Sequence, residues 1–423
     1  MSVRRLPIAP VAAPARRNLP LAERSRVADR MLRPVYAVWE ITLRCDQSCR
    51  HCGSRAGHAR PDELSPAQAL DLVHQLADLG VREVTLIGGE AYLREDWLQL
   101  VAALRKRGVL CSVTTGGRGL DAARARAAHE AGVQSMSVSV DGLVDAHDRL
   151  RGVAGSHASA MSAIAAIRGA GMRVSCNTQI NQWNRHQLPA LLGQLLDAGV
   201  TAWQPQLTAP LGRAADEHEL VLQPYHLLEL FPVLAALADR CHDAGVLFWP
   251  GNSIGYYGPF EQRLRAKVPG GHRGACGAGR ATLGIEADGT VKGCPSLPTA
   301  DHAAGNVRDA PLVEIWERGL ALRRIRDQRV DELRGFCRGC YYADECRGGC
   351  NFTAQAIMGD IGDNPLCHHR ALVLAESGER ERLVPSEAAP GQPFDHGRFT
   401  LVREPWPADE SAALDIARAS LLA

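Results

Sequence analysis

A chain of 423 residues is longer than one core usually organises, which predicts two domains or a barrel with a smaller module. Its 46% hydrophobic content suffices for a full core, and a formal net charge of +1 gives no electrostatic ground for binding nucleic acid or an anionic membrane. No apolar run approaches the roughly 20 residues of a membrane-spanning helix, and residues 1–34, interrupted by Pro7, Pro10, Pro14 and Pro20, lack the unbroken apolar stretch of a secretion signal, so the expected location is the cytoplasm.

After this Pro- and Arg-rich arm, residues 35–43 read as a buried strand. Ser65-Pro66-Ala67-Gln68 then carries a helix start: a Ser N-cap, Pro at the first helical position and Gln three residues after the cap. Leu72, Val73, Leu76 and Leu79 follow at helical spacing, and Gly80 ends the element. Further strands are expected at 83–87, 110–114, 135–140, 173–178 and 201–206, with helices at 98–107, 121–131, 158–169 and 188–198 between them. This alternation implies parallel βαβ units with right-handed crossovers. The fold class is therefore α/β, a partial (β/α)6 barrel of the TIM-like kind spanning 35–250. Chemistry in such folds gathers at the carboxyl ends of the strands, and Cys45, Gly88, Thr115, Asp141 and Gln179 each follow a strand directly. A helix over 224–244 is expected next. Residues 251–273 read as a linker, 274–370 as a small cysteine-rich domain, and 371–423 as a charged, Pro-containing tail ending in a short amphipathic helix at 414–422.

Thirteen cysteines suggest a disulfide framework only in a small secreted chain. Here Cys111, Cys176 and Cys241 stand alone and read as small buried hydrophobes, while the other ten form one early and one late cluster, which points to metal. The early set is Cys45-Asp46-Gln47-Ser48-Cys49-Arg50-His51-Cys52, three thiols with three and then two residues between them. Three thiolates on a four-iron cluster leave one iron open to another ligand. A ligand carrying an amine and a carboxylate could chelate that iron, given an acidic partner and a cationic one. Gly88-Gly89-Glu90 offers a closely approachable backbone and a carboxylate at a neighbouring strand end.

Together these residues resemble the radical S-adenosylmethionine (SAM) enzymes, with His51 in the place where that family usually has another aromatic ring. The resemblance implies that Cys45, Cys49 and Cys52 hold the catalytic 4Fe-4S cluster, that His51 lies beside SAM, and that Gly88, Gly89 and Glu90 grip its ammonium. Ser137-Val138-Ser139-Val140-Asp141-Gly142 and His147-Asp148-Arg149-Leu150-Arg151-Gly152 resemble the fourth-strand segment of the family, which implies Ser139 as a polar contact to SAM and Arg151 as its carboxylate partner. On the residues alone, Asp141 caps a turn and Arg151 is a solvated charge. Thr114-Thr115-Gly116-Gly117 stands where many relatives have Thr-Thr-Asn-Gly, so Gly116 breaks the pattern. Asn184 reads equally as a helix N-cap and as a cofactor contact.

The late set, Cys276, Cys294, Cys337, Cys340, Cys346, Cys350 and Cys367, resembles the seven-cysteine SPASM domain; a zinc ribbon is the competing interpretation of its Cys-x2-Cys pair. The resemblance implies two auxiliary 4Fe-4S clusters, making three in all. Cys276, Cys294 and Cys350 would hold the nearer one, and Cys337, Cys340, Cys346 and Cys367 the outer one. Seven thiols leave one position of eight without a cysteine, on the nearer cluster. The function implied is that of a maturase, close to those of mycofactocin and pyrroloquinoline quinone. It would use SAM to abstract a hydrogen atom from a ribosomally made precursor peptide and install an oxidative modification, a crosslink in the expected case. The implied partners are that peptide, a reductant such as flavodoxin or ferredoxin, and a separate leader-binding protein unless the tail serves instead. The alternatives are an anaerobic sulfatase maturase, which typically has Asp where this chain has Pro295, and a noncatalytic iron–sulfur or zinc scaffold.

Overall fold

The computed structural model describes residues 21–254, 257–265, 267–268 and 275–407. The first half of the chain follows the expected alternation. Strands β1 (Tyr36–Glu40), β2 (Glu83–Ile87), β3 (Leu110–Thr115), β4 (Ser135–Ser139), β5 (Arg173–Ile180) and β6 (Ala202–Leu207) pair in sequence order, all parallel. Helices Pro66–Leu79, Trp97–Lys106, Ala122–Ala131, Ser156–Gly169 and Leu188–Asp197 lie between them. The first of these helices shows why the local signals were legible: the Ser65 hydroxyl accepts the Gln68 N–H at 3.3 Å, the Gln68 side chain accepts the Ser65 N–H at 3.0 Å, and Gly80 closes the helix with φ of 94°.

Residues alternate along the strands as the pleat requires. Ala37, Trp39, Val84, Leu86, Cys111, Val113, Met136, Val138, Val174, Cys176 and Trp203 share one continuous buried core with the helices. Cys111, Cys176 and Cys241 are thus small core residues, each essentially sealed from solvent. The opposite, inward face of the sheet is polar and only half-buried over β3 to β6: Ser112, Thr114, Ser135, Ser137, Ser139, Ser175, Asn177, Gln179, Gln204 and Gln206.

The sheet does not stop at six strands. β7 (Leu247–Phe248) pairs parallel to β6 at one edge. At the other edge β8 (Thr282–Ile285) pairs parallel to β1, with Tyr36 opposite Thr282 and Trp39 opposite Ile285, and β9 (Thr290–Lys292) and β10 (Gly305–Asn306) continue antiparallel. The cysteine-rich region therefore extends the barrel sheet to ten strands. A buried charge network closes this seam. Arg60 reaches Glu286 at 3.0 Å and Glu40 at 3.7 Å, and the fully buried Lys292 reaches Glu286 at 2.8 Å. Burial would raise the Glu286 carboxyl, but Lys292 and Arg60 bring it down to about 2; Glu40, less well compensated, is pushed by burial up to about 8.

Three segments differ from expectation. The described end of the N-terminal arm is tied down: the helix Val27–Met31 buries Asp29, which pairs with Arg323 at 2.9 Å and Arg326 at 3.2 Å. The expected linker contains a short helix, Glu261–Arg265. The expected tail starts with the end of a helix, His368–Glu376, and then forms an antiparallel hairpin of β11 (Glu379–Glu387) and β12 (Arg398–Pro405); the amphipathic helix expected at 414–422 lies outside the described residues. Among the described residues the one helical stretch long and apolar enough to cross a bilayer, His218–Asp243, is mostly buried inside the fold.

Candidate active site

The loop after β1 carries Cys45, Cys49 and Cys52, all free thiols, as are the other ten cysteines. It has little regular structure and is held from outside. Cys45 N–H donates to Gly57 O at 3.1 Å, and the buried Arg213 donates to Cys49 O at 2.6 Å and Ala56 O at 3.1 Å. Two backbone N–H groups point at sulfur, Gln47 at Cys45 Sγ and Ala56 at Cys52 Sγ, both 3.4 Å, and Arg151 donates to Cys49 Sγ at 3.6 Å. Burial pushes the Cys45 and Cys49 thiols up, and Cys45 also feels Cys49, Glu90 and Cys52, so these three thiols and one carboxyl share one locality. Among the described residues, no three His, Cys, Asp or Glu side chains converge as ligands of a single ion would. A donor set of clustered thiols with N–H groups aimed at sulfur fits an iron–sulfur cluster, in which each thiolate meets a different iron.

Gly88 and Gly89 bring β2 against this loop. A Cβ on Gly88 would lie 2.5 Å from Thr42 O, and one on Gly89 would lie 2.3 Å from Arg44 O and 2.7 Å from Cys45 Cβ. The close approach these glycines allow is thus to the cysteine loop itself. Glu90 follows, 2% exposed, its two carboxylate oxygens accepting from Thr115 Oγ1 at 2.7 Å and Gly116 N–H at 2.6 Å. Burial raises it to about 7 against these two hydrogen bonds. A carboxylate has about four acceptor sites, so room remains for a cationic ligand. Gly116, the departure from Thr-Thr-Asn-Gly, also has a physical reason. A Cβ there would lie 2.5 Å from the Gln47 amide nitrogen, so the Gln47 side chain from the cysteine loop fills the space a side chain at 116 would need.

Asp141 is the hub of the next strand end. It is fully buried, its Oδ2 lies 2.6 Å from Arg151 Nη2 and 3.3 Å from His51 Nε2, and its Oδ1 accepts the Gln179 N–H at 2.9 Å. Burial alone would raise this carboxyl, but Arg151 and then His51 hold it well below the usual carboxylate range. Arg151 ends the helix Val144–Arg151 and is 7% exposed, so it is no solvated charge. Ser139 ends β4 on the inward face. Asn184 caps no helix; it accepts the Asn181 N–H at 2.8 Å and donates to Asp141 O at 2.6 Å and Gln179 O at 2.8 Å, fastening the β4 and β5 ends together.

In the second region the structure sorts the seven thiols into two groups. Burial, then Cys350 and Cys294, push Cys276 up to about 12, and burial takes Cys294 to about 11. Separately, Cys337 feels Cys367, Cys346 feels Cys367 and Cys340, and Cys367 feels Cys340; burial lifts Cys346 to about 12 and Cys367 to about 11. The first group sits against the inward face of β8, since a Cβ on Gly284 would lie 2.3 Å from Pro295 N and 2.6 Å from Cys294 C. The residues that sequence reasoning missed are the ones that hold the cysteine loop: Gln47, Arg55, Arg213 and Asp395. Their partners lie far off in sequence, and no local pattern marks them.

The family model of the Radical SAM superfamily matches residues 39–188, and that of an iron–sulfur cluster-binding domain, SPASM, matches residues 276–341. The AdoMet-dependent heme synthase of Nitratidesulfovibrio vulgaris is 30% identical over 78% of this chain and 91% of that protein. The mycofactocin maturase MftC of Mycobacterium ulcerans is 31% identical over 78% of this chain and 86% of that protein. Among solved structures, Streptococcus suis SuiB bound to precursor peptide SuiA superposes with a TM-score of 0.60 at 16% identity, covering 77% of this chain and 74% of that one.

Proposed function

The chain belongs to the radical SAM superfamily and carries a SPASM iron–sulfur domain, and from that premise we propose that it oxidatively modifies a ribosomally made precursor peptide. When bound, SAM and its cluster supply a carbon radical that removes a hydrogen atom from the substrate. In this reading Cys45, Cys49 and Cys52 hold that cluster. Glu90 accepts the ligand's ammonium, with Gly88 and Gly89 keeping its strand end against the cysteine loop, and Arg151, oriented by Asp141, faces its carboxylate. His51 and Ser139 complete the contacts to SAM. Cys276, Cys294 and Cys350 hold the nearer auxiliary cluster, with one position either open or filled by a ligand other than cysteine, and Cys337, Cys340, Cys346 and Cys367 hold the outer one. An auxiliary cluster suits an oxidative outcome such as a crosslink, because a substrate radical that forms a new bond must lose one more electron. A small reductant such as flavodoxin or ferredoxin starts the cycle.

The observation that carries the peptide reading is the inward face of the barrel. From β3 to β6 it presents hydroxyls and carboxamides, and no Lys or Arg apart from the exposed Arg173 at the start of β5. Ser137 Oγ is buried there without a hydrogen-bond partner. Such a wall offers donors and acceptors to the amides of a peptide. The likeness to a heme synthase supports a second reading, a tetrapyrrole substrate. A macrocycle bearing carboxylates calls for cationic partners, and the inward face of β3 to β6 offers none beyond the exposed Arg173.

The test is anaerobic reconstitution with SAM and a strong reductant, measuring 5′-deoxyadenosine. Mass spectrometry then follows two candidate substrates, short peptides encoded beside the gene and iron coproporphyrin. Peptide mass loss in units of two hydrogens supports the proposal. Decarboxylation of the macrocycle with peptides unchanged would replace it with the second reading, and absence of 5′-deoxyadenosine would favour the noncatalytic scaffold.

A further inference from the structure

Residues 342–407 lie beyond both family-model matches, yet the loop joining β11 to β12 returns to the cysteine loop. Phe394 N–H donates to Gly53 O at 3.0 Å, one residue after Cys52. Asp395 accepts from Arg55 Nε at 2.9 Å, and its backbone oxygen accepts the Gly212 N–H at 2.7 Å. Gly212 in turn packs so tightly on Cys52 and Gly53 that a Cβ there would lie 2.4 and 2.3 Å from their carbonyl oxygens. The Asp395 carboxylate is itself preset by the N–H groups of Gly391 and Gln392. On its other side the Phe394 ring lies 3.8 Å from the Lys292 ammonium, two residues before Cys294.

Two strained residues mark the junction. Among the described residues, four other than glycine have positive φ, and two of them meet here, Arg55 at 50° and Phe394 at 55°. A bulky residue keeps such a backbone only where its surroundings over-determine it. Arg55 is 1% exposed and also binds Asp216 at 2.5 Å, so its guanidinium is a buried clamp between the cysteine loop and two acids.

We propose that the 388–397 loop is a working part of the radical-generating site, and that Asp395 is a positioning residue which, through Arg55, sets the geometry of the Cys49–Cys52 turn. The proposal rests on reading Cys45, Cys49 and Cys52 as cluster ligands. The turn has few bonds of its own, so its sulfurs keep a fixed spacing while one iron exchanges ligands only if the turn is braced from outside. The C-terminal hairpin supplies that brace and touches the second cysteine region at the same time.

The test uses the full chain, reconstituted anaerobically, with Asp395→Asn, Arg55→Lys and the double variant. Electron paramagnetic resonance is recorded on the reduced protein with and without SAM; the auxiliary signals serve as the internal reference. The expected result for Asp395→Asn is unchanged auxiliary signals, a SAM-responsive signal altered in shape or reduced several-fold, and SAM affinity lowered at least fivefold. The double variant should be no worse than the poorer single one, because both act through one contact. A SAM-induced spectral change identical to that of the parent would overturn the proposal. So would an equal loss of all cluster signals, which marks the hairpin as a support of the whole fold. A parent protein whose spectrum does not respond to SAM would instead remove the reading of the three thiols, and the proposal with it.

Discussion

Replacing Asp141 with Asn removes one charge from a buried pair while keeping the shape of the side chain and the oxygen that accepts the Gln179 N–H. Asp141 is fully buried, Arg151 is 7% exposed, and their charged atoms are 2.6 Å apart. The gross attraction at an effective dielectric of 20 is about 6 kcal/mol, most of it spent on desolvating the two ions. What the variant feels is the uncompensated guanidinium left behind, and breaking a buried pair in this way costs about 3–5 kcal/mol. For a domain of barrel size each kcal/mol lowers the melting temperature by about 2–4 °C, so a drop of about 10 °C is expected. Arg151→Met alone should also destabilise, but Asp141→Asn with Arg151→Met should cost about 3 kcal/mol less than the sum of the single changes. The assay is thermal unfolding under anaerobic conditions, followed by circular dichroism at several scan rates because large cofactor proteins unfold irreversibly. A single-variant drop under 2 °C, or strict additivity in the double variant, would refute the reasoning.

Ala at any one of Cys45, Cys49 or Cys52 should abolish 5′-deoxyadenosine formation while iron content falls by no more than one cluster; a variant that still forms it refutes the ligand assignment. Gly89→Ala forces a methyl to within 2.3 Å of Arg44 O and 2.7 Å of Cys45 Cβ. It should cost about 1–3 kcal/mol and weaken the SAM-responsive spectral signal, whereas Gly108→Ala, where a Cβ has open space but φ is 75°, should strain only its own turn and leave that signal unchanged. Glu40 has a folded-state value of about 8, above its ordinary 4.5. Its contribution to stability is therefore full below about pH 4.5 and is lost as pH rises through about 8. Glu40→Gln should flatten the decline in denaturant midpoint across that window and be the more stable protein at pH 9. An unchanged slope would contradict the burial argument.

The first half of the fold was legible because its signals are local: an N-cap box at Ser65 and Gln68, Gly at helix ends, and strands with one apolar face. Three thiols within eight residues, and a Gly-Gly-Glu at a strand end, needed no long-range information. Arg151 was readable only by resemblance, since the eight residues of its helix, Val144–Arg151, carry four charges and follow an Asp-Gly turn. β8 and β9 had a signal that was passed over, the Asp288-Gly289 pair between two β-rich segments, with Gly289 at φ of 88°. The C-terminal hairpin was hidden by its composition: Glu379, Arg380, Glu381 and Arg382 put charges on both faces, and Pro385 interrupts the strand. Arg55, Arg213 and Asp395 act across 157 to 340 positions of sequence, and pairing at such separations exists only once the fold has formed.

The continuation of the barrel sheet through β1 into β8 fixes a distance by counting. Cys45 stands in the loop five residues past Glu40, the end of β1, and Cys294 two residues past Lys292, the end of β9, two places along the sheet; the rungs between those strands are backbone hydrogen bonds in set register. The interval between the strand ends from which the two cysteine segments spring is therefore a property of the ladder, like the gap between marks on a ruler, and a swinging second domain cannot change it. The same continuity makes the parts inseparable. A chain cut before residue 275 would bare the β1 edge and its unpaired N–H and C=O groups, a template for another strand, and should self-associate before it behaves as a free barrel.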